Sequence, residues 1–147
     1  MSRESIGKHV NALSKFITYY INQRVKKFNL NITQVEILKE LYDLKEYHNI
    51  EGISQNELGD KLHLDKITVT KQLNVLSNEG YVIRKVNEAD NRIKEVYVTD
   101  KGNEIKEDIK EILKNVTEIL SGDFSEEENK IIIDLLKRMS ENIYQKV

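Results

Sequence analysis

The chain has 147 residues, of which 39% are hydrophobic and 33% charged, so it is long enough for one compact domain and apolar enough to bury a core. It contains no cysteine, which excludes disulfide bonds, thiolate metal sites, cysteine nucleophiles and sensing by thiol oxidation. There is no apolar run long enough to span a bilayer and no signal-like start, and we therefore expect a cytoplasmic protein.

The net charge of −2 is unevenly distributed along the chain. Residues 1–60 carry 8 basic and 8 acidic groups, residues 61–101 carry 8 and 6, and residues 102–147 carry 7 and 11. The middle segment is the positive one, so it is where an anionic partner is expected to bind. An excess of two positive charges is weak evidence alone, and the argument depends on where individual Lys and Arg residues lie.

In chain order, apolar residues at intervals of three and four predict a long helix from about Ser5 to Lys27. A second helix is predicted to begin at a capping box formed by Thr33 and Glu36 and to run to about Tyr47. Ile53 follows a short linker, and we expect it in a short strand that pairs with a later hairpin.

The segment that follows predicts two helices joined by a tight turn. Ser54 and Glu57 cap a short helix that ends near His63, and Asp65 caps a second helix that begins at Lys66. The apolar stripe of this second helix, 66–78, consists of Val69, Leu73 and Leu76. Its other faces are polar, so it has one side for a core and one side for a partner.

The predicted strands 81–86 and 93–98 are rich in β-branched and aromatic residues, and a polar hairpin, 87–92, connects them. A helix-turn-helix followed by a hairpin is the layout of a winged DNA-binding module.

Two further helices are predicted after the hairpin. Thr99 is the predicted N-cap of one long helix that ends at Gly122, and Ser125 with Glu128 caps the last helix.

We therefore predict a mainly α (α+β) fold with a winged helix-turn-helix core and a two-stranded wing, flanked by N- and C-terminal dimerisation helices. The predicted parts are residues 1–30, 31–101 and 102–147. Three long amphipathic helices flank the core, and their apolar faces need a partner, which favours a homodimer. The alternative is that all three fold back onto one core.

Several side chains are candidates for contacts with DNA. Arg92 at the wing tip can reach the minor groove, and Asp90 is expected to orient it. Lys71 and Asn74 can pair with guanine and adenine edges, while Ile67 either meets a thymine methyl group or packs on the preceding helix. The remaining candidates, for phosphate or base contacts, are Ser54, Gln55, Lys66, Thr68, Thr70, Asn91 and Lys94.

From Leu30 to Gly102 the chain resembles the MarR family of winged-helix transcription regulators. The resemblance is carried by the order and spacing of Ile32-Thr33-Gln34, Ser54-Gln55-Asn56-Glu57-Leu58-Gly59, Leu76-Ser77-Asn78-Glu79-Gly80-Tyr81, Asp90-Asn91-Arg92 and Val98-Thr99-Asp100-Lys101-Gly102. It implies a homodimer, a palindromic operator and release of DNA by a small aromatic or phenolic ligand. Ala89 stands where the family usually has a proline.

The family often binds ligands near the junction of the first two helices, where the aromatic candidates are Phe16, Tyr19, Tyr20 and Tyr42. Packing in the core is the alternative reading of these four residues. The three histidines lack metal-ligand spacing, and no metal or cofactor is predicted.

The leading function is thus a homodimeric DNA-binding regulator, with a repressor favoured, that reads a palindromic operator with helix 66–78 and wing 87–92. The alternative is a winged-helix module that binds protein rather than DNA. The chain shows no phosphate-binding glycine loop and no nucleophile–base motif, so an enzyme is not predicted.

Overall fold

The computed structural model describes residues 4–147, which form two compact units that are divided between Leu113 and Lys114. In the described residues the element order is α1 (Ile6–Val25), a 3-10 turn (Lys26–Phe28), α2 (Ile32–His48), β1 (Ile53–Ser54), α3 (Gln55–Leu62), α4 (Lys66–Asn78), β2 (Val82–Val86), β3 (Lys94–Val98), α5 (Asp100–Glu104), α6 (Lys106–Ser121) and α7 (Glu126–Tyr144). The predicted winged helix-turn-helix order is confirmed.

The start of α2 differs from the prediction. The N-cap is Asn31, whose side chain accepts from the backbone N–H of Gln34, while the Gln34 side chain accepts from the backbone N–H of Asn31. The predicted capping box at Thr33 and Glu36 is therefore wrong by two residues. The reason is tertiary, because the Ile32 N–H donates to Asn22 Oδ1 of α1 at 2.8 Å and so joins the helix start to its neighbour.

The two helices of the helix-turn-helix begin where their caps predict. The Ser54 hydroxyl accepts from the Glu57 N–H at 3.1 Å, and the Asp65 carboxylate accepts from the Thr68 N–H at 2.7 Å. Gly59 of α3 lies against α4, since a Cβ placed there would be 3.0 Å from Val69 Cγ2. A glycine at this position allows the two helices to pack closely.

The three strands form an antiparallel sheet in the order β1-β3-β2. Ile53 pairs with Val96, which confirms the predicted short strand, and Val82 pairs with Val98 at the other side of β3. The hairpin between β2 and β3 is the wing. Because β1 leads directly into α3, this pairing attaches the wing to the start of the helix-turn-helix.

One continuous helix was predicted from Thr99 to Gly122, and this prediction is wrong. The helix is interrupted at Ile105, which separates α5 from α6. In a continuous helix the Gly102 carbonyl would accept from the Lys106 N–H. The buried Tyr42 hydroxyl donates to that carbonyl at 2.6 Å, and we attribute the interruption to this competing donor. The predicted cap at Thr99 and the predicted end at Gly122 are both confirmed.

The core of the first unit is formed mainly by α2, the helix-turn-helix and the sheet. Its fully buried side chains include Ile37, Leu38, Tyr42, Leu58, Val69, Leu73, Leu76, Val82, Val96 and Ile109. In the second unit, Ser125 and Glu128 form the predicted capping box of α7, and no residue of α7 is buried. Within residues 4–147 no helix is both long and apolar enough to cross a membrane.

Candidate nucleic-acid interface

The outward face of α4 carries the side chains that the sequence predicts for reading DNA. Lys66, Thr70, Lys71 and Asn74 are exposed, and Thr68 is half-buried. Ile67 is 82% exposed, so it does not pack on the preceding helix, and the thymine-methyl contact remains as its predicted role. The opposite face carries the buried Val69, Leu73 and Leu76, as the periodicity predicts.

At the wing, Asp90 holds Arg92 by several contacts. The guanidinium donates from Nε to Asp90 Oδ1 at 3.1 Å and from Nη2 to Oδ2 at 3.0 Å, and the Arg92 backbone N–H donates to Oδ1 at 3.0 Å. These hydrogen bonds lower the pKa of the Asp90 carboxyl and raise the pKa of Arg92. These hydrogen bonds orient the Arg92 side chain. The side chain is 90% exposed, so its charge still faces solvent.

The wing turns without the usual proline because Asn87 supplies the turn. Its Oδ1 accepts from the backbone N–H groups of Ala89 at 2.8 Å and Asp90 at 3.0 Å. An asparagine side chain that bonds the backbone two residues ahead imitates a backbone turn. Asn87 also donates to Glu95 on β3 at 2.8 Å. The turn thereby places Asp90 next to Arg92.

A cleft joins the wing to the start of α3. It has a volume of about 230 Å³ and is lined by Ser54, Gln55, Asn56, Arg92, Ile93 and Lys94. Four of these six residues are predicted DNA-contacting residues. On its other side, Gln55 donates from Nε2 to the Thr70 hydroxyl of α4 at 2.8 Å. Asn91, the residue before Arg92, is exposed in the wing. The helix start, the wing and the outward face of α4 therefore form one continuous surface.

Arg84 of β2 also belongs to this surface, and the sequence interpretation missed it. Its Nη2 donates to Asn74 Oδ1 on α4 at 2.7 Å. The available signal was strand alternation, because Arg84 has the same parity as the buried Val82 and therefore points to the side of the sheet that faces the helices. Asn56, which lines the cleft, was missed as well.

The four aromatic residues of the predicted ligand pocket lie in different environments. Phe16 and Tyr19 are 72% and 66% exposed on α1, and the Tyr20 ring is covered by the Arg24 guanidinium at 3.4 Å. Tyr42 is buried, and burial raises the pKa of its hydroxyl. Tyr42 also lines a cavity of about 260 Å³ together with Leu41, Lys45, Glu51, Tyr97, Val98, Asp100, Asn103 and Lys106.

The three-stranded sheet, the helix-turn-helix and the wing arginine define the class of winged helix-turn-helix proteins. A family model described as transcriptional regulator SarA/Rot matches residues 19–109. A MarR transcriptional regulator from Methanosarcina mazei Go1 is 31% identical, with 97% of this chain and 98% of that chain covered and a TM-score of 0.83. The chain belongs to the MarR/SarA family of transcriptional regulators, which are not enzymes.

Two further relatives support this assignment. An uncharacterized HTH-type transcriptional regulator of Bacillus subtilis strain 168, YdgJ, is 35% identical over 111 residues. The match covers 76% of this chain and 64% of YdgJ, which is less than two thirds of that relative. The S. aureus MepR-DNA complex has the same fold, with a TM-score of 0.87, 23% identity and coverage of 95% of this chain and 99% of that chain.

Proposed function

We propose that this chain is a homodimeric DNA-binding repressor that acts in the cytoplasm and reads a palindromic operator with helix 66–78 and wing 87–92. The observation that carries the proposal is the continuous surface formed by the start of α3, the outward face of α4 and the wing. On it, α4 offers Lys71 and Asn74 for base edges in the major groove. Arg92 extends from the wing toward the minor groove, where the negative potential is focused.

The start of α3 suits contacts with the DNA backbone. Its first N–H groups carry the positive end of the helix dipole, and phosphate groups bind at such ends. Ser54 and Gln55 lie at this end, and Lys66 occupies the equivalent place at the start of α4. These residues position the protein on DNA, while the middle of α4 selects the sequence. MepR, a protein of the same fold, was solved with DNA, which is consistent with this mode of binding.

The apolar surface of the flanking helices supports the homodimer. On α1, Ile6, Val10 and Leu13 are 68%, 41% and 41% exposed. The second unit exposes Ile119, Leu120, Phe124, Ile131, Ile132, Ile133, Leu135, Leu136 and Ile143. Monomeric proteins rarely expose an apolar surface of this extent to solvent. We propose that a second copy of the chain covers these faces, so that residues 1–30 and 102–147 serve dimerisation and residues 31–101 read DNA.

We also propose that a small aromatic or phenolic ligand releases the DNA. The exposed rings of Phe16 and Tyr19 supply aromatic surface for such a ligand, and Tyr20 is the next residue on α1. Tyr42 is buried and contributes to a ligand site only as part of the wall of the cavity of about 260 Å³. A ligand of this kind must bind the DNA-free state better than the DNA-bound state, because only differential affinity shifts the equilibrium. Titration of the protein–DNA complex with benzoate and with phenol tests this part, and no release by either compound contradicts it.

The main experiment compares Arg92→Ala with Arg138→Ala, an exposed arginine on α7 that lies in the second unit. We expect Arg92→Ala to weaken binding to the operator and to a scrambled duplex alike, and to reduce the slope of log affinity against log salt by about two, because each of the two subunits loses one phosphate-neutralising charge. Arg138→Ala also removes one positive charge per chain, but Arg138 is not part of the proposed surface, so the slope of log affinity against log salt should stay unchanged.

Binding isotherms at four or more salt concentrations measure both slopes. If Arg92→Ala leaves affinity for the scrambled duplex intact, the role assigned to the wing is wrong. If the wild-type protein binds no duplex at all, the alternative of a winged-helix module for protein partners replaces the DNA-binding proposal.

A further inference from the structure

The contact between Arg84 and Asn74 fixes the way in which α4 can read a base. Arg84 extends from β2 and donates from Nη2 to Asn74 Oδ1 at 2.7 Å. A guanidinium has only donors and an amide nitrogen does not accept, so the atom of Asn74 that faces Arg84 must be its oxygen. The amide nitrogen, with its two N–H donors, is then the atom left to face outward from the exposed Asn74.

This orientation conflicts with the base pairing usually expected of asparagine. A bidentate contact with adenine needs the amide oxygen and the amide nitrogen side by side at the base edge, to accept from N6 and donate to N7. With the oxygen turned toward Arg84, Asn74 presents donors alone. In the major groove, guanine presents two acceptors, N7 and O6, and thymine presents one, O4. Adenine presents the acceptor N7 beside the N6 donor, and cytosine presents only the N4 donor, so a pair of donors is best matched by the keto bases.

We propose that Arg84 is a specificity-determining positioning residue, which holds Asn74 so that it selects a keto base, guanine or thymine, over an amino base. The inference rests on the proposed function, since it requires α4 to lie in the major groove. Arg84 itself is half-buried and acts through Asn74, whereas Lys71 on the same face carries donors of its own. The reading face thus offers donors at both of its central positions.

The sheet explains why Arg84 can hold this position. Arg84 pairs with Val96 in the middle of β2, which is bonded along its length to β3. Val96 is buried and is also paired with Ile53 of β1, so this part of the sheet is held on both sides of β3. A long side chain on a rigid strand loses less conformational freedom when it contacts DNA than one on a flexible loop. Lys85, the next residue, has the opposite parity, and its Nζ lies 5.0 Å from the centre of the Tyr97 ring.

Selection from a pool of randomised duplexes, followed by sequencing of the bound fraction, tests this inference. Asn74→Ala first identifies the position that Asn74 reads, because preference there is lost. At that position we expect the wild-type protein to favour guanine or thymine by about tenfold, and Arg84→Met to lose that preference and gain adenine, since the freed amide can then make the bidentate contact. Lys85→Met removes the same charge from the neighbouring residue and should keep the wild-type preference.

Asn74→Asp provides a second, independent test. The carboxylate can still accept from Arg84, but it has no donor, so the preference should change to an amino base, cytosine or adenine. A wild-type preference for an amino base at the mapped position, an unchanged preference in Arg84→Met, or no position that responds to Asn74→Ala would each overturn the inference while DNA binding persists. A wild-type protein that enriches no sequence would refute the proposed function as well.

Discussion

The hydroxyl of Tyr42 joins α2 to the short helix α5, which lies 60 residues further along the chain. Tyr42 is 1% exposed, and its hydroxyl donates to the Gly102 carbonyl. Gly102 is itself tightly enclosed, because a Cβ added there would lie 2.3 Å from the Tyr81 carbonyl oxygen. A buried carbonyl that loses its donor keeps its full desolvation cost. Tyr42 therefore links the core to α5, just before the interruption that separates α5 from α6.

Replacement of Tyr42 by phenylalanine should lower the free energy of unfolding by about 1–3 kcal/mol, because the ring still fills its place but the Gly102 carbonyl loses its partner. Tyr47→Phe is the matched control, since Tyr47 is on the same helix and 69% exposed, and we expect its effect to be within about 0.5 kcal/mol. Urea denaturation followed by circular dichroism measures both. Equal stability of Tyr42→Phe and the wild-type protein would show that the hydrogen bond contributes nothing.

Single residues also show where sequence reasoning succeeds and where it stops. Local rules identified Asp65 as the cap of α4 and paired Asp90 with Arg92, because both partners lie within three residues in the chain. The contact between Arg84 and Asn74 joins two elements whose distance depends on how the sheet packs on α4. Alternation along β2 indicates the side to which Arg84 points, but not the residue that it meets there.

At the scale of elements, the start of α2 shows two local signals in competition. Asn31 with Gln34 and Thr33 with Glu36 both fit the spacing of a capping box. The first one forms, and it is supported by contacts that no local pattern contains. Ile32 donates to Asn22 of α1, and Gln34, which is 4% exposed, donates to Gln72 of α4 at 2.9 Å. Tertiary contacts therefore decide between two starts that the sequence favours almost equally.

The two candidate caps give a matched pair of variants. Asn31→Ala should lower the free energy of unfolding by about 1 kcal/mol, because the Gln34 N–H at the helix start loses its acceptor. Thr33→Ala lies inside the first turn of α2 and should change stability by less than about 0.5 kcal/mol. Thermal or urea unfolding distinguishes them. A larger loss for Thr33→Ala than for Asn31→Ala would mean that the helix begins at the later cap.

The helices after the wing show a second limit of local rules. Their apolar stripe continues from Ile105 through Ile119 at helical spacing, and no proline or glycine marks the interruption at Ile105. The donor that competes for the Gly102 carbonyl comes from α2, so the sequence near residue 105 contains no sign of it. By contrast, the ends at Thr99 and Gly122 have local causes, a hydroxyl cap and a positive φ of 51°, and both could be predicted.

At the scale of the whole molecule, two reading helices on a palindromic operator require a dimer. We expect light scattering at micromolar concentration to give twice the chain mass of 17.2 kDa. Leu13→Glu on α1 and Leu135→Glu on α7 each place a charge on a proposed interface, and both should shift the protein toward monomer, since a buried unpaired charge is costly.

The control for the dimer is Ile67→Glu on the outward face of α4. Ile67 is 82% exposed and belongs to the proposed DNA surface, so this variant should remain a dimer while it loses affinity for DNA. A wild-type protein of monomer mass would contradict the proposed assembly. Dissociation by Ile67→Glu as strong as that by Leu135→Glu would place the interface elsewhere.

In the proposed complex, two copies of α4 read a two-fold site while two wings bind the flanking minor grooves. Hydroxyl-radical footprinting of the wild-type protein on DNA from upstream of its own gene tests this arrangement. We predict two protected half-sites related by a dyad, with centres separated by one helical turn, about 10–10.5 base pairs, or a multiple of it, and a protected minor groove outside each. A single protected half-site, or uniform protection without a dyad, would contradict this two-fold arrangement.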